Sequence, residues 1–352
     1  MFNNNNLNKR QEAIVKIVGD SDVPMAISEL IKQLDRFGEK TTRITIIRDL
    51  SLLIQKKYFV RQGKGRNVAY LISPFYRLIK PIAVAEYFKI DPDQRSVIKS
   101  FNFDIFSLLK NIFTDEEVVN FKELNKIYQN NIKRLTPIGI KKEYERLTIE
   151  LSWKSSKIEG NTYSLLETER LLRDKVESSG HTHEEAIMIL NHKAALDYIR
   201  GHVNQFKKIS ISKIEDFHYL LIKGLGVERN LRKRVVRIAG TTYAPLDNQF
   251  QIREAMEKFC HLVNTQKNPF VQALTALLLI AYIQPFEDGN KRTSRLLANA
   301  ILLANSSCPL SFRSIDEIEY KKAMLLFYEQ NSLAYLKELF IQQFEFAVKN
   351  YF

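Results

Sequence analysis

Gln284-Pro285-Phe286-Glu287-Asp288-Gly289-Asn290-Lys291-Arg292-Thr293-Ser294-Arg295 is a short polar run between two strongly apolar segments, Phe270 to Ile283 before it and Arg295 to Ala304 after it. Both flanks have the spacing and composition of helices, so the run reads as a loop that opens a new helix. The N–H groups of a helix's first turn have no partner within the helix, and the aligned peptide dipoles place partial positive charge there. Gly289 lets a ligand come close to the backbone. Arg292 and Arg295 lie three apart, so both project from one side of the new helix. Together these features form an anion cradle suited to a polyphosphate. Asp288 adds a hard oxygen ligand of the kind that holds Mg²⁺ on a phosphate chain. A plainer reading stays open at this point: a surface loop whose aspartate caps a helix and whose arginines are solvated.

The rest of the chain suits a helical setting. Its 352 residues include only 12 Gly and 9 Pro, too few for a collagen-like, linker-like or turn-rich all-β protein. It is 45% hydrophobic and 26% charged, enough apolar material to bury a core, and its length suggests about two domains. Cys260 and Cys308 make neither a disulfide framework nor a metal-ligand pair, which points to a reducing compartment. Met1 to Asn6 are polar and Asn-rich, unlike a signal peptide. The longest apolar stretch, Ala273 to Ile283, is too short to span a bilayer. A cytoplasmic protein without a membrane partner is the expectation.

The net charge of +13 is uneven: Met1 to Lys80 hold 15 Lys and Arg against 7 Asp and Glu. Such an excess in under a quarter of the chain invites a polyanion partner. Leu7 to Val18 reads as a helix with Ile14, Ile17 and Val18 on one face. Ile27, Leu30, Ile31 and Leu34 mark a second helix, which starts either at a Ser28 cap or earlier, after Pro24. A turn at Gly38 leads to a third, from about Thr41 to Lys56, with Ile44, Ile47, Leu50, Leu53 and Ile54 inward and Arg43, Thr45 and Arg48 outward. Tyr58 to Val60 and Val68 to Ile72 read as strands joined by the basic turn Arg61 to Asn67. Three helices and a basic hairpin resemble a winged helix-turn-helix domain. That resemblance implies double-stranded DNA as a partner, with the third helix in the major groove, Arg43 and Arg48 near bases or phosphates, and Arg61, Lys64 and Arg66 on phosphates. A winged helix used for protein contacts is the alternative.

Pro74 to about Glu145 is less informative. Phe101 to Phe113 and Glu116 to Tyr128 have helical spacing, and no Gly/Ser-rich run suggests a flexible linker. A second constellation follows, Ser155-Ser156-Lys157-Ile158-Glu159-Gly160-Asn161. A helix carrying Trp153 and Ile158 stops at Gly160, a good residue for that position. A glutamate in the last turn opposes the helix dipole, which suggests an external cationic partner; a solvated glutamate before an ordinary helix end is the bland alternative.

The run at 284–295 resembles the signature of Fic-domain proteins, His-Pro-Phe-x-Asp/Glu-Gly-Asn-Gly/Lys-Arg-x-x-Arg. Eight of its nine specified positions match: Pro285, Phe286, Asp288, Gly289, Asn290, Lys291, Arg292 and Arg295. A match this dense in a helix-loop-helix setting is specific. The resemblance implies a helical fold and transfer of AMP from ATP to a hydroxyl of a target protein, with release of pyrophosphate. It implies that Asp288 holds Mg²⁺, that Gly289, Asn290 and Arg292 bind the α- and β-phosphates, that Arg295 binds the γ-phosphate, and that Phe286 anchors the loop in the core. The departure is at the first position, where the family's general-base His is replaced by Gln284. An amide cannot take a proton at neutral pH, and general-base catalysis contributes about 10²–10⁴-fold. The cradle does not depend on the base, so ATP binding is expected to survive and transfer to be weak or absent. The six histidines all lie outside the loop and are read as structural.

The stretch at Ser155 to Gly160 is similar to the inhibitory motif of Fic proteins, Ser/Thr-x-x-x-Glu-Gly/Asn. There the glutamate pairs with the last arginine of the signature and excludes the γ-phosphate from its productive pose. Carried over, Ser155 and Glu159 form the motif, and Glu159 pairs with Arg295 within the same chain. Val235 to Pro245, β-branched with a turn at Gly240, looks like the β-hairpin flap that positions a target segment by strand addition, with Gly240, Thr241 and Thr242 at its turn; a small structural hairpin is the plainer reading. The basic run Arg229, Arg232, Lys233, Arg234 before it is either a solvated face or a docking surface.

The expected architecture is therefore mainly α: a winged helix domain over 1–78 (α+β), a connecting helical region over 79–145, and a helical Fic domain with a β-hairpin flap over 146–352. The expected function is an autoinhibited adenylyltransferase scaffold impaired at Gln284. The alternative is a DNA-binding regulator whose Fic-like domain binds nucleotide without chemistry. The target protein is unidentified, and a homodimer stays open.

Overall fold

The structure, a computed structural model, describes residues 7–21 and 23–352; the side chain of Arg66 lies outside the described residues. The chain divides into two compact units. The first comprises the described residues up to Ile82 together with Gln330–Ala334. The second comprises Ala83–Glu329 and Tyr335–Phe352.

The first unit holds α1 (Lys9–Gly19), β1 (Met25–Ala26), α2 (Ile27–Arg36), α3 (Arg43–Gln55), β2 (Phe59–Gln62), β3 (Ala69–Ile72) and α4 (Pro74–Ile79). The strands form an antiparallel sheet in the order β1-β3-β2, with Met25 opposite Tyr70 and Phe59 opposite Ile72. Helix α1 starts at Lys9 because Asn8 and Gln11 close a reciprocal capping box. Ile14, Ile17 and Val18 are buried as expected. Helix α2 starts at Ile27, so Ser28 lies inside it and does not cap it. Between β2 and β3 the chain reverses at Gly63, which has φ +80°; a Cβ there would lie 2.2 Å from the Asn67 carbonyl oxygen. Gln330–Ala334 joins this unit through the Leu333 N–H, which donates to the Leu78 carbonyl at 2.6 Å, and the Ser332 hydroxyl, which donates to that of Lys80.

The buried face of α3 differs from the expected one. The inward stripe is Ile46, Leu50 and Leu53, whereas Ile44 is 65% and Ile47 41% exposed. The buried stripe runs at i, i+4 and i+7, and the expected set mixed both faces of the helix. Asp49 is buried with it, where its carboxylate accepts from Arg10 Nε at 2.6 Å and Gln11 Nε2 at 2.8 Å.

The second unit is helical. After α5 (Val84–Tyr87) and α6 (Ile105–Leu108) come α7 (Asp115–Arg134), α8 (Pro137–Ile158), α9 (Leu165–Asp174) and α10 (His183–Gly201). Then follow α11 (Ile211–Ile222), α12 (Gln249–Thr265), α13 (Pro269–Ile283), α14 (Asn290–Ala304), α15 (Glu317–Gln330) and α16 (Ala334–Asn350). Capping boxes Thr114/Glu117, Ser164/Glu167 and Thr182/Glu185 start α7, α9 and α10. Pro137 occupies the first turn of α8, where a missing N–H costs nothing. Helix α13 is apolar on every side, and within Phe270–Ile283 only Gln272 escapes full burial. It is the central helix of the unit, and α14 returns against it.

Two expectations of local structure fail here. Phe101–Phe113 is not one helix: only Ile105–Leu108 is helical. Phe101 instead stacks on Tyr282 at 4.6 Å, and the Asn102 N–H donates to the Tyr282 hydroxyl at 3.0 Å, tertiary contacts that override the helical spacing. Val235–Pro245 forms a turn at Gly240 (φ +82°) but no strand-paired hairpin. Its one bridge is a parallel contact of Ala244 with Ser100, and Tyr243 is anchored inward, its hydroxyl donating to the Tyr282 carbonyl at 3.0 Å.

Candidate functional site

Helix α13 ends at Ile283, and Gln284 takes a left-handed conformation with φ +51°. The loop then turns into α14, whose N-cap is Gly289 with φ +78° and no side-chain cap. The first intrahelical bond runs from the Thr293 N–H to the Gly289 carbonyl at 2.8 Å, which leaves the N–H groups of the first turn for a ligand. Gly289 is required on two counts. Its φ is strained for any residue with a Cβ, and that atom would lie 3.2 Å from Ile222 Cγ2 and 3.3 Å from His218 Nε2.

The loop is held from three directions. Phe286 is buried, as expected of an anchor, and its ring stacks on His218 with centroids 3.7 Å apart. The Asn290 side chain accepts from the Phe286 N–H at 2.9 Å, and its amide donates to the Phe286 carbonyl at 2.8 Å and to Gln284 Oε1 at 3.0 Å. Asn290 was expected on phosphates; its side chain is committed to the loop itself, and what it can offer an anion is its backbone N–H. The third hold is Arg232. Its guanidinium is buried and donates to the carbonyls of Gln284 (2.6 Å), Arg234 (2.7 Å) and Leu246, while the Pro285 carbonyl accepts from its backbone N–H at 2.9 Å. This one side chain ties the loop to both ends of the 235–245 segment.

The charged groups are arranged around the α14 N-terminus. Arg295 is fully buried; its Nε donates to Ser155 Oγ at 2.9 Å and its Nη2 to the Ser155 carbonyl and to Glu159 Oε1, both at 2.8 Å. Glu159 follows the last residue of α8, ahead of Gly160 at φ +99°, and Lys291 Nζ lies 3.7 Å from its other oxygen. Burial works to raise the Glu159 pKa, but Arg295 and Lys291 outweigh it and hold the carboxyl below the usual range. The cationic partner inferred from the sequence is thus present, and it is Arg295. Arg292, almost fully buried, donates to Asp288 at 3.0 Å while its Nη1 has no hydrogen-bond partner among the described residues. Burial lowers the Arg292 pKa.

Asp288 is 64% exposed. Among the described residues, no group of three His, Cys, Asp or Glu side chains could hold a metal. A single exposed carboxylate fits Mg²⁺ that arrives already bound to phosphate oxygens, not a resident ion. Gln284 lines the cleft, but its amide is committed: Nε2 donates to the Ala281 carbonyl at 2.6 Å and Oε1 accepts from Asn290.

A cleft of about 250 Å³ lies over the loop, bounded by Glu159, Val236–Ala239, Gln284 and Glu287–Arg292. A more apolar cleft of about 190 Å³ adjoins it through Ile238, Ala239 and Lys291, and is walled by Ile158, Tyr320, Met324 and Tyr328. Gly240 and Thr242 are exposed and Thr241 half-buried. The Gly240 carbonyl accepts from Arg95 Nη2 at 2.7 Å, and Arg95 is itself paired with buried Glu329 at 3.1 Å.

Residues 208–302, which run from ahead of α11 to near the end of α14, match the model of the Fic/DOC family. The chain carries a Fic domain. The protein adenylyltransferase Fic of Culex quinquefasciatus is 30% identical over 188 residues, which is 52% of this chain and 37% of that protein. Its counterpart from Drosophila virilis is 30% identical over 151 residues, 42% of this chain and 31% of that protein. The chain thus spans about a third of the length of these curated relatives. Among solved structures, Fic-1 (aa134–508) from C. elegans superposes with a TM-score of 0.59 at 19% identity, over 67% of this chain and 71% of that one. A Fic domain containing signaling protein from Bacteroides thetaiotaomicron gives 0.55 at 20% identity, over 65% and 96%. These likenesses show a shared fold. The family match covers the loop, Arg232 and His218, whereas Ser155 and Glu159 lie outside it.

Two contributors were missed in the sequence. His218 had a signal: it lies on the buried face of α11 with Ile214, Phe217, Leu221 and Ile222. Its Nε2 is 2.9 Å from the Asp288 carbonyl. A carbonyl only accepts, so this nitrogen carries the proton. Burial pushes the imidazole pKa down to about 4. His218 therefore braces the loop as a neutral donor. Arg232 had no signal, because nothing in a run of four basic residues separates the buried one from the solvated ones.

Proposed function

We propose that the Fic domain is a nucleotidyl-transfer scaffold that binds ATP across the two adjoining clefts and is held off by Glu159. The observation that carries this reading is the Arg295 guanidinium, buried and bonded to Ser155 and Glu159 beside an uncapped helix N-terminus. The N–H groups of the α14 first turn and Arg292, whose Nη1 is buried without a partner among the described residues, suit the phosphates. The apolar cleft at Ile158 and Tyr320 suits the nucleoside. Asp288 would hold Mg²⁺ brought in on the phosphates, where the ion neutralises charge. Glu159 occupies the arginine that a terminal phosphate needs, so the carboxylate and a triphosphate compete for one cation. At position 284 a committed amide stands where a proton acceptor is required, so transfer to a target hydroxyl is slow even when ATP is bound. Calorimetric titration with ATP and Mg²⁺ tests this. Glu159→Gly should bind clearly more tightly than the unmodified chain, and adding Arg292→Ala should abolish the gain. Equal affinity in all three forms would remove the reading.

A second reading concerns the first unit, whose element order and antiparallel sheet fit a winged helix-turn-helix domain. Arg43, Arg48, Arg61 and Lys64 are all exposed and Asp49 is withdrawn into the core, which favours a duplex DNA partner. The chain should bind duplex DNA with an affinity that falls as salt rises. A flat salt response, or no binding at low salt, would exclude it.

A further inference from the structure

Helix α3 presents an unusual solvent face. Arg43, Ile44, Ile47, Arg48 and Ser51 are all exposed, and at about 100° per residue they fall within roughly 140° of arc. Two isoleucines, 65% and 41% exposed, thus sit between two arginines in the first turns of the helix. The acid of α3 itself, Asp49, is withdrawn from this face and bonded to Arg10 and Gln11. The adjoining hairpin adds exposed Arg61 and Lys64. A partner covering this face must therefore be polyanionic at its edges and offer small apolar groups at its centre.

Duplex DNA meets that description in its major groove, where thymine is the base that presents a methyl group. We infer that Ile44 and Ile47 read thymine 5-methyl groups while Arg43 and Arg48 hold bases or phosphates beside them. This rests on the DNA reading of the first unit and adds to it a sequence preference and the residues that set it. The competing occupant, an acidic protein surface or a second copy of the chain, would bury the same isoleucines without any dependence on base methylation.

The experiment uses the full chain. Duplexes are selected from a random pool, and the selected duplex is resynthesised with deoxyuridine at each thymine in turn, which deletes one methyl and leaves the hydrogen-bonding edge intact. Losing one buried methyl is expected to weaken binding about fourfold. Ile44→Ala and Ile47→Ala, both at exposed positions in a helix, should each erase the penalty at one thymine and leave binding to unselected duplex nearly unchanged. Lys64→Ala should instead weaken all duplexes alike and lower the salt slope by about one. Equal affinity of thymine and uracil duplexes overturns the inference while the DNA reading stands. Loss of self-association in the isoleucine variants, with no change on DNA, overturns it in favour of a protein interface. Binding to no duplex at low salt overturns both.

Discussion

Replacing Glu159 by Gln keeps the shape of the Arg295 contact and removes its charge. In the unmodified chain the Arg295 guanidinium is fully buried, and among the described residues Glu159 is its one carboxylate partner, at 2.8 Å. Breaking a buried pair by removing one member costs about 3–5 kcal/mol. Glu159 keeps 18% of its side chain exposed, and its contact with Lys291 is long, at 3.7 Å, so the lower end, about 3 kcal/mol, is the expectation here. In a unit of this size each kcal/mol moves Tm by roughly 2–4 °C, so the ligand-free variant should melt about 6–12 °C lower. The sign reverses for ligand. In the unmodified chain a phosphate must displace a charge-assisted hydrogen bond worth about 1.5–3 kcal/mol. Without it, the variant should bind ATP with Mg²⁺ roughly 10–150-fold more tightly. At 100 times Kd, ATP adds about 2.7 kcal/mol of stability and recovers most of the loss. Differential scanning fluorimetry with and without ATP reads both effects. A variant that melts lower but gains no more from ATP than the unmodified chain would show that Arg295 is a structural cation, not a phosphate ligand.

Two other consequences follow from the loop's supports. His218 is neutral when folded, with a pKa of about 4 against about 6.5 when unfolded, so the unfolded chain binds the extra proton first as pH falls. Its contribution to stability is complete above about pH 6.5 and is lost down to about pH 4, of order 3 kcal/mol in total. Denaturant midpoints of His218→Gln across that window should show a shallower pH slope than the unmodified chain; parallel slopes would contradict this role. Gly289→Ala forces a Cβ into a left-handed residue and against His218 and Ile222, at a cost of about 1–3 kcal/mol. Calorimetry should show nucleotide affinity falling with it, and an unchanged affinity would mean that the loop conformation is not what binds the ligand.

The parts of this site that were legible in the sequence are those set by short-range rules. The apolar α13, the polar break and Gly289 ahead of α14 follow from composition and spacing, and the end of α8 follows from Gly160. The pairing of Glu159 with Arg295 came from family resemblance, and the structure shows the bond. What escaped was decided by tertiary packing. Phe101 and Tyr282 claim each other, so a helically spaced segment stays irregular. Tyr243 is drawn to Tyr282, so a β-branched segment makes no hairpin. On α3 the expected inward set mixed the two faces of the helix. Ile44 and Ile47 lie on the solvent face, and they are the residues to which the proposed DNA preference is assigned.

As proposed, this Fic domain keeps a nucleotide cradle, is clamped by Glu159 and has an amide, Gln284, where a base is required. The decisive measurement is transfer from ATP labelled at the α-phosphate by the unmodified chain, Gln284→His, Glu159→Gly and the double variant. The double variant should label itself or a protein in lysate about 10²–10⁴-fold faster than Glu159→Gly alone, with the unmodified chain slowest. Strong transfer by the unmodified chain, or a double variant that binds ATP yet transfers no faster than Glu159→Gly, would mean that Gln284 is not what limits transfer.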